Sequence, residues 1–190
     1  MIVLGIDPGS RRCGYGAVSR EGTRLSAVAS GVIVPAEASL SVRLGCLFDD
    51  LSAVIARIRP DVVSVESAYC GASARSALVL GQARGVVLAA AACAGLPVFE
   101  YAPAAVKRAF TGSGRAEKVQ MVRTARAIFG IEAELADEAD ALAIAVCHLA
   151  SAGVVSALRP SRGAAPAGAA RSRRAEAVLR PSVRRFGSAS

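Results

Sequence analysis

The 190-residue sequence predicts an α/β domain in three layers, a five-stranded mixed sheet flanked by helices, over residues 1–158. Three observations carry that expectation. Two apolar runs of buried-strand length, Ile2–Ile6 and Val62–Val65, each end on an acid, Asp7 and Glu66. Strand-like and helix-like periodicities alternate along the chain, as layered α/β folds require. Beyond residue 158 the large apolar residues thin out and Ala, Pro, Gly, Ser and Arg take over, so residues 159–190 are expected to form a disordered basic tail.

Taken in order, residues 2–7, about 14–20 and about 27–34 read as strands separated by turn residues. From Ser39 to Ile58 the apolar positions Leu40, Leu44, Leu47, Phe48, Leu51, Val54, Ile55 and Ile58 fall at helical spacing, and Pro60-Asp61 ends the pattern. Strand 62–66 follows, then a loop of small residues over 67–74. Arg75 to about Ala94 is helical, dense in Leu, Val and Ala, and stopped by Gly95. Val98–Tyr101 is a short strand, and Pro103 suits the first turn of a helix to about Phe110. After the break at Thr111–Gly114, a helix runs from Ala116 to Phe129 and stops at Gly130. A last helix runs from Asp137 to about Ala152. The order β-β-β-α-β-α-β-α-α-α is that of a ribonuclease-H-like domain: three antiparallel strands, then parallel ones added by right-handed crossovers. Strand one is central in that order, which accounts for its being apolar on both faces.

The net charge of +8 resides almost wholly in the tail. Of 23 basic and 15 acidic residues, eight arginines and one glutamate lie from Arg159 onward, leaving 15 and 14 for residues 1–158. A near-neutral domain still binds nucleic acid if its charges are segregated. The five cysteines are odd in number and show no C-x-x-C spacing, which fits a reducing compartment better than a disulfide frame or zinc site. Met1 leads straight into a core strand, so no signal peptide is expected. The longest uncharged apolar run, between Arg84 and Glu100, contains Pro97 and is short for a bilayer. It reads as a buried helix followed by a strand, and the expected location is the cytoplasm.

The chemistry concentrates in four acids. Asp7 and Glu66 end strands, and Asp137 and Asp140 open a helix three residues apart, hence on one face with Glu138 turned away. Placed in the first helical turn, both aspartates would be favoured in their ionised form by the helix dipole. Carboxylates that converge on one sheet edge repel unless hard cations lie between them, and oxygen-only donors suit Mg²⁺ or Mn²⁺. That is the chemistry of metal-dependent phosphodiester cleavage. Asp7-Pro8-Gly9 is also an ordinary turn tripeptide; its place after a buried strand, with Gly14-Tyr15-Gly16 on the return, is what suggests a rim open to phosphate. Lys107 and Lys118, the only lysines, flank the Gly112–Gly114 break and suit contacts to a phosphate or to transition-state charge. Tyr69, in the loop after Glu66, could stack on an unpaired base. His148, within an apolar helix, reads as a core residue.

Taken together, these segments resemble the RuvC family of Holliday-junction resolvases. The matching stretches are G-I-D-P-G-S at 5–10, G-Y-G at 14–16, V-E at 65–66, S-A-L-V-L-G-Q-A-R-G at 76–85, V-K-R-A-F-T-G-S-G-R-A-E-K-V-Q at 106–120 and D-E-A-D-A-L-A-I-A at 137–145. The resemblance implies Mg²⁺, replaceable by Mn²⁺ and two per site, on Asp7, Glu66, Asp137 and Asp140. It implies catalytic and DNA-binding roles for Lys107 and Lys118, and the basic or aromatic surroundings add Tyr69, Arg75 and Arg115 as DNA contacts. It further implies a homodimer on a four-way DNA junction, paired symmetric nicks, recombination and repair as the setting, and the RuvA–RuvB branch-migration complex as partner, with no membrane. The apolar 77–94 helix is a candidate for the dimer interface. One departure stands out. After its glutamate the family usually carries two aromatics, a basic residue and an asparagine, whereas Ser67–Ser73 keeps one aromatic, Tyr69. Rival readings are a YqgF-like RNA nuclease, a non-catalytic junction-binding protein, and an actin-type nucleotide-binding module, for which the chain is too short.

Overall fold

A computed structural model describes residues 1–36, 38–67, 73–130 and 136–158, with side chains to residue 152. Met1–Leu158 forms one compact unit. Its strands are β1 (Ile2–Asp7), β2 (Cys13–Glu21), β3 (Arg24–Ile33), β4 (Val62–Glu66) and β5 (Val98–Tyr101). Its helices are α1 (Leu40–Ile58), α2 (Ala74–Cys93), α3 (Pro103–Thr111), α4 (Lys118–Phe129) and α5 (Ala136–Leu158). Every element expected from the sequence is present in order. The ends move by a few residues, most at α5, which continues to Leu158.

The strands form one sheet in the order β3-β2-β1-β4-β5, with β1–β2 and β2–β3 antiparallel and β1–β4 and β4–β5 parallel. The central place of β1 explains its composition. Val3 packs with α3, α4 and α5 on one face, and Leu4 and Ile6 pack with α1 and α2 on the other. Local chemistry sets the helix ends: Pro103 opens α3, while Gly112 and Gly130 close α3 and α4 in the left-handed region. Ser73 caps α2 by accepting a hydrogen bond from the Ser76 amide at 3.3 Å.

Two corrections concern how the chain packs. The Gly14-Tyr15-Gly16 return strand does not keep a rim open for phosphate. A Cβ at Gly14 would stand 2.1 Å from the Asp137 carbonyl oxygen, and one at Gly5 would stand 2.1 Å from that of Ala141. These glycines instead let α5 lie against the sheet. Second, α2 is not a fully buried helix. It is long and apolar enough by composition to cross a bilayer, yet it is embedded by a stripe of Ala83, Val87, Ala90 and Ala91, with Leu78 65% exposed. It is tied to the sheet by Arg84, whose guanidinium lies 2.5 Å from Glu100 on β5.

Gly14→Ala is expected to destabilise the protein by about 1–3 kcal/mol, because the added methyl must push α5 off β2. Urea denaturation would measure it, and an unchanged midpoint would contradict the close packing.

Candidate active site

Strand alternation decides where the strand-end acids point. On β1, Val3 faces α5, so Gly5 and Asp7 share that side. On β4, Val62 belongs to the same layer and the Ser64 hydroxyl donates to the Ile144 carbonyl of α5 at 3.3 Å, so Glu66 follows. The parallel register pairs Ile6 with Val65, which sets Asp7 and Glu66 side by side at the C-terminal edge of adjacent strands. The first two turns of α5 lie over that edge and bring Asp137 and Asp140. Asp140 lies beyond the first turn, where only Asp137 and Glu138 are found, so the dipole argument applies to Asp137 alone.

The four carboxylates act on one another. Asp7 is pushed up to about 7, first by burial, then by Asp140, Glu66 and Asp137, against a smaller opposing effect of Lys118. Glu66 is raised by burial and by Asp140, and Lys107 draws it back. Asp140 is raised mainly by burial, with Lys118 and Lys107 opposing. Both lysines therefore reach the cluster electrostatically, Lys107 half-buried on α3 and Lys118 exposed at the start of α4. A cavity of about 160 Å³ bounded by Asp7, Pro8, Glu66, Ser67, Leu80, Arg84 and Pro103 opens at this edge.

Other expected contacts lie elsewhere. Arg75 is exposed in the first turn of α2, and Arg115 is exposed between α3 and α4, outside the cluster. Tyr69 lies outside the described residues, as does most of the altered 67–73 loop. His148 is buried, its Nδ1 2.8 Å from the Tyr101 hydroxyl. Sequence reasoning missed Arg12, whose Nε donates to Asp137 Oδ2 at 2.7 Å. The sequence shows only a basic pair, Arg11-Arg12, in the turn after Asp7; that it lies near Asp137 becomes readable once the fold sets the start of α5 at the same edge.

Oxygen donors on four convergent side chains fit a hard divalent cation. Among the described residues, no three of them stand around a common point at ligand spacing, and Asp137 is turned toward Arg12.

Sheet order and acid edge together define a ribonuclease-H-like enzyme. The family model "Crossover junction endodeoxyribonuclease RuvC" matches residues 3–148, and the chain belongs to that family. The RuvC of Anaeromyxobacter sp. (strain K) is 69% identical over 150 residues, covering 79% of this chain and 81% of that protein. The RuvC of Geobacter sp. (strain M21) is 47% identical over 164 residues, covering 85% and 100%. Thermus thermophilus RuvC in complex with a Holliday junction substrate superposes with a TM-score of 0.76 at 34% identity, over 82% of this chain and 96% of that one. The yeast mitochondrial resolvase Ydc2, at 18% identity and a TM-score of 0.63 over 83% and 81%, shares the fold. The chain is thus a Holliday-junction resolvase, an endonuclease that hydrolyses DNA phosphodiester bonds.

The raised Asp7 predicts a pH signature. A carboxyl held above its ordinary value contributes stability below about pH 4, and that contribution is lost as pH rises through about 7. Asp7→Asn should therefore stabilise the protein in chelator at pH 8 by on the order of 1–3 kcal/mol, a gain that shrinks as pH falls to 4. Denaturant midpoints of both proteins across that range would show it; a gain independent of pH would contradict the strained carboxylate.

Proposed function

We propose that Asp7, Glu66, Asp137 and Asp140 form a two-metal site at which a four-way junction is nicked symmetrically on two strands. The observation that carries this reading is Asp7, half-buried and pushed up to about 7 by burial and by three neighbouring carboxylates. Such a cluster is costly as it stands, and hard cations relieve it. Two Mg²⁺ ions, or Mn²⁺ in their place, would supply Lewis-acid activation of the attacking water and neutralise charge on the leaving oxygen.

The side chains divide the remaining work. The four carboxylates would hold the cations, and their negative charge would keep other anions out while the site is empty. Lys118, which opposes the negative charge of Asp7 and Asp140, is suited to the charge that develops on the phosphoryl oxygens, and Lys107 beside Glu66 and Asp140 to the flanking phosphate. Water adds to phosphorus, the P–O3′ bond breaks, and the 3′-oxygen takes a proton. The products are a 5′-phosphate and a 3′-hydroxyl, with no covalent link to protein. Tyr69, Arg75 and Arg115 would contact DNA outside the reacting phosphate. Residues 159–190, which lie outside the described residues, would add sequence-independent affinity through their eight arginines.

The working unit in this reading is a homodimer in the cytoplasm, acting on junctions that a RuvA–RuvB complex moves. A two-fold dimer meets equivalent strands of a junction with the same symmetry. The exposed Leu78 on the outer face of α2 supports its use as the contact.

Cleavage of a labelled mobile junction in Mg²⁺, beside linear duplex, tests the chemistry. Paired nicks on the junction are expected, with Asp7→Asn slower by about 10²-fold or more and Lys118→Ala by roughly 10-fold or more. Chelator should abolish cutting and leave binding intact. Full activity in Asp7→Asn would overturn the site. For the dimer, Leu78→Glu should yield monomers in sedimentation at micromolar concentration and uncouple the two nicks; an unchanged dimer would move the interface off α2.

A further inference from the structure

A basic feature beside the acid cluster is not used by the chemistry above. Arg11 and Arg12 from the β1–β2 turn, Arg43 from α1 and Arg75 from α2 line two adjoining clefts of about 500 and 630 Å³, sharing Arg11, Arg12 and Arg43. Their size admits a nucleotide-sized group. Among the described residues neither cleft is lined by an acid. Four guanidiniums from three elements around one concavity repel one another, and a phosphate is the anion whose geometry they match.

Their present partners are informative. Arg43 is half-buried, its Nε donating to the Ser10 carbonyl at 3.2 Å and its Nη1 to that of Ala38 at 2.8 Å, so it fixes the turn that presents Arg11 and Arg12. Among the described residues Arg11 and Arg75 have no side-chain hydrogen bond or ion pair. Arg12 is shared: it lines the clefts and also reaches Asp137, with the two side chains 46% and 26% exposed. An ion pair that exposed holds weakly and yields to a better anion. The clefts therefore abut the acid cluster through one exchangeable side chain.

We infer that this arginine cleft binds a backbone phosphate of the cleaved strand other than the scissile one, and that Arg12 leaves Asp137 for that phosphate when DNA arrives. The inference rests on the proposed carboxylate site being where the strand is cut. The contact is sequence-independent; it fixes the register of the strand across the acid edge. It also returns Asp137 to its fellow carboxylates, so strand docking and assembly of the acid site become one event.

Junctions carrying a single uncharged methylphosphonate, scanned along the strand on both sides of the cut, test this in chelator, where nothing is cleaved. The wild-type chain is compared with an Arg12→Ala/Arg75→Ala double variant, both positions being exposed and outside the core. One non-scissile position should weaken wild-type binding by roughly tenfold and leave the variant unaffected. On unmodified junction the variant should bind roughly tenfold more weakly, with the slope of log affinity against log salt reduced by about one. Independent, multiplicative effects of the variant and of every methylphosphonate would overturn the cleft. Equal binding of junction and duplex would instead sink the resolvase reading, and the same scan on duplex would still decide the cleft.

Discussion

Everything at the acid edge depends on how closely α5 lies on β1 and β2. Ala139, Ala141, Ala143 and Ala145 are all fully buried, and the strands beneath them carry Gly5, Gly14 and Gly16. Small residues on both sides of a helix–sheet contact let backbones approach, and the approach carries the start of α5 over the C-terminal ends of β1 and β4. Asp137 and Asp140 meet Asp7 and Glu66 for that reason. The composition follows from the same contact: a chain rich in alanine and glycine and short of aromatics is one whose central layers are thin.

Close approach has an electrostatic consequence. Each carboxylate is partly stripped of water and set beside others of like charge, so burial and repulsion act in the same direction on Asp7. Lys107 and Lys118 offset part of this from α3 and α4, which belong to the same layer as α5. Arg12 pairs with Asp137 from the turn. The fold holds an unfavourable cluster together through the packing of one helix, and the cluster's worst-placed member, Asp7, stands on the central strand. Stability and chemistry are thus opposed at a single residue, a common property of sites that bind cations or transfer protons.

The frame of this fold was legible because its elements are strongly marked. The apolar run Ile2–Ile6 announces a central strand, the spacing from Leu40 to Ile58 announces a helix, and Pro103, Gly112 and Gly130 mark ends. The four acids were legible because each stands where an apolar element stops, and the parallel register of β1 with β4 does the rest. What remained hidden depends on distance across the fold. The role of Gly14 was misjudged because a glycine in a sequence does not say which backbone approaches it. The burial of α2 was overstated because its apolar residues cover the helix on all sides, and composition does not tell which side meets the sheet. Arg12 went unread because its partner lies 125 residues away.

Charge shows most clearly why totals mislead. Residues 1–158 are almost neutral, yet acids gather at one edge of the sheet and arginines in the cleft beside it, and a strand of DNA needs both: cations for the reacting phosphate, guanidiniums for its neighbours. α2 stands between these regions. Arg75 in its first turn lines the cleft, Leu80 and Arg84 wall the cavity at Asp7 and Glu66, and Arg84 grips Glu100 on the outermost strand. Leu78, on the same helix, faces out. In the proposed dimer, a partner seated against Leu78 would hold the wall of the acid site and one side of the arginine cleft in the same motion. Pairing of subunits and alignment of the strand would then be properties of one helix, which gives a physical route by which two nicks on opposite sides of a junction become coupled.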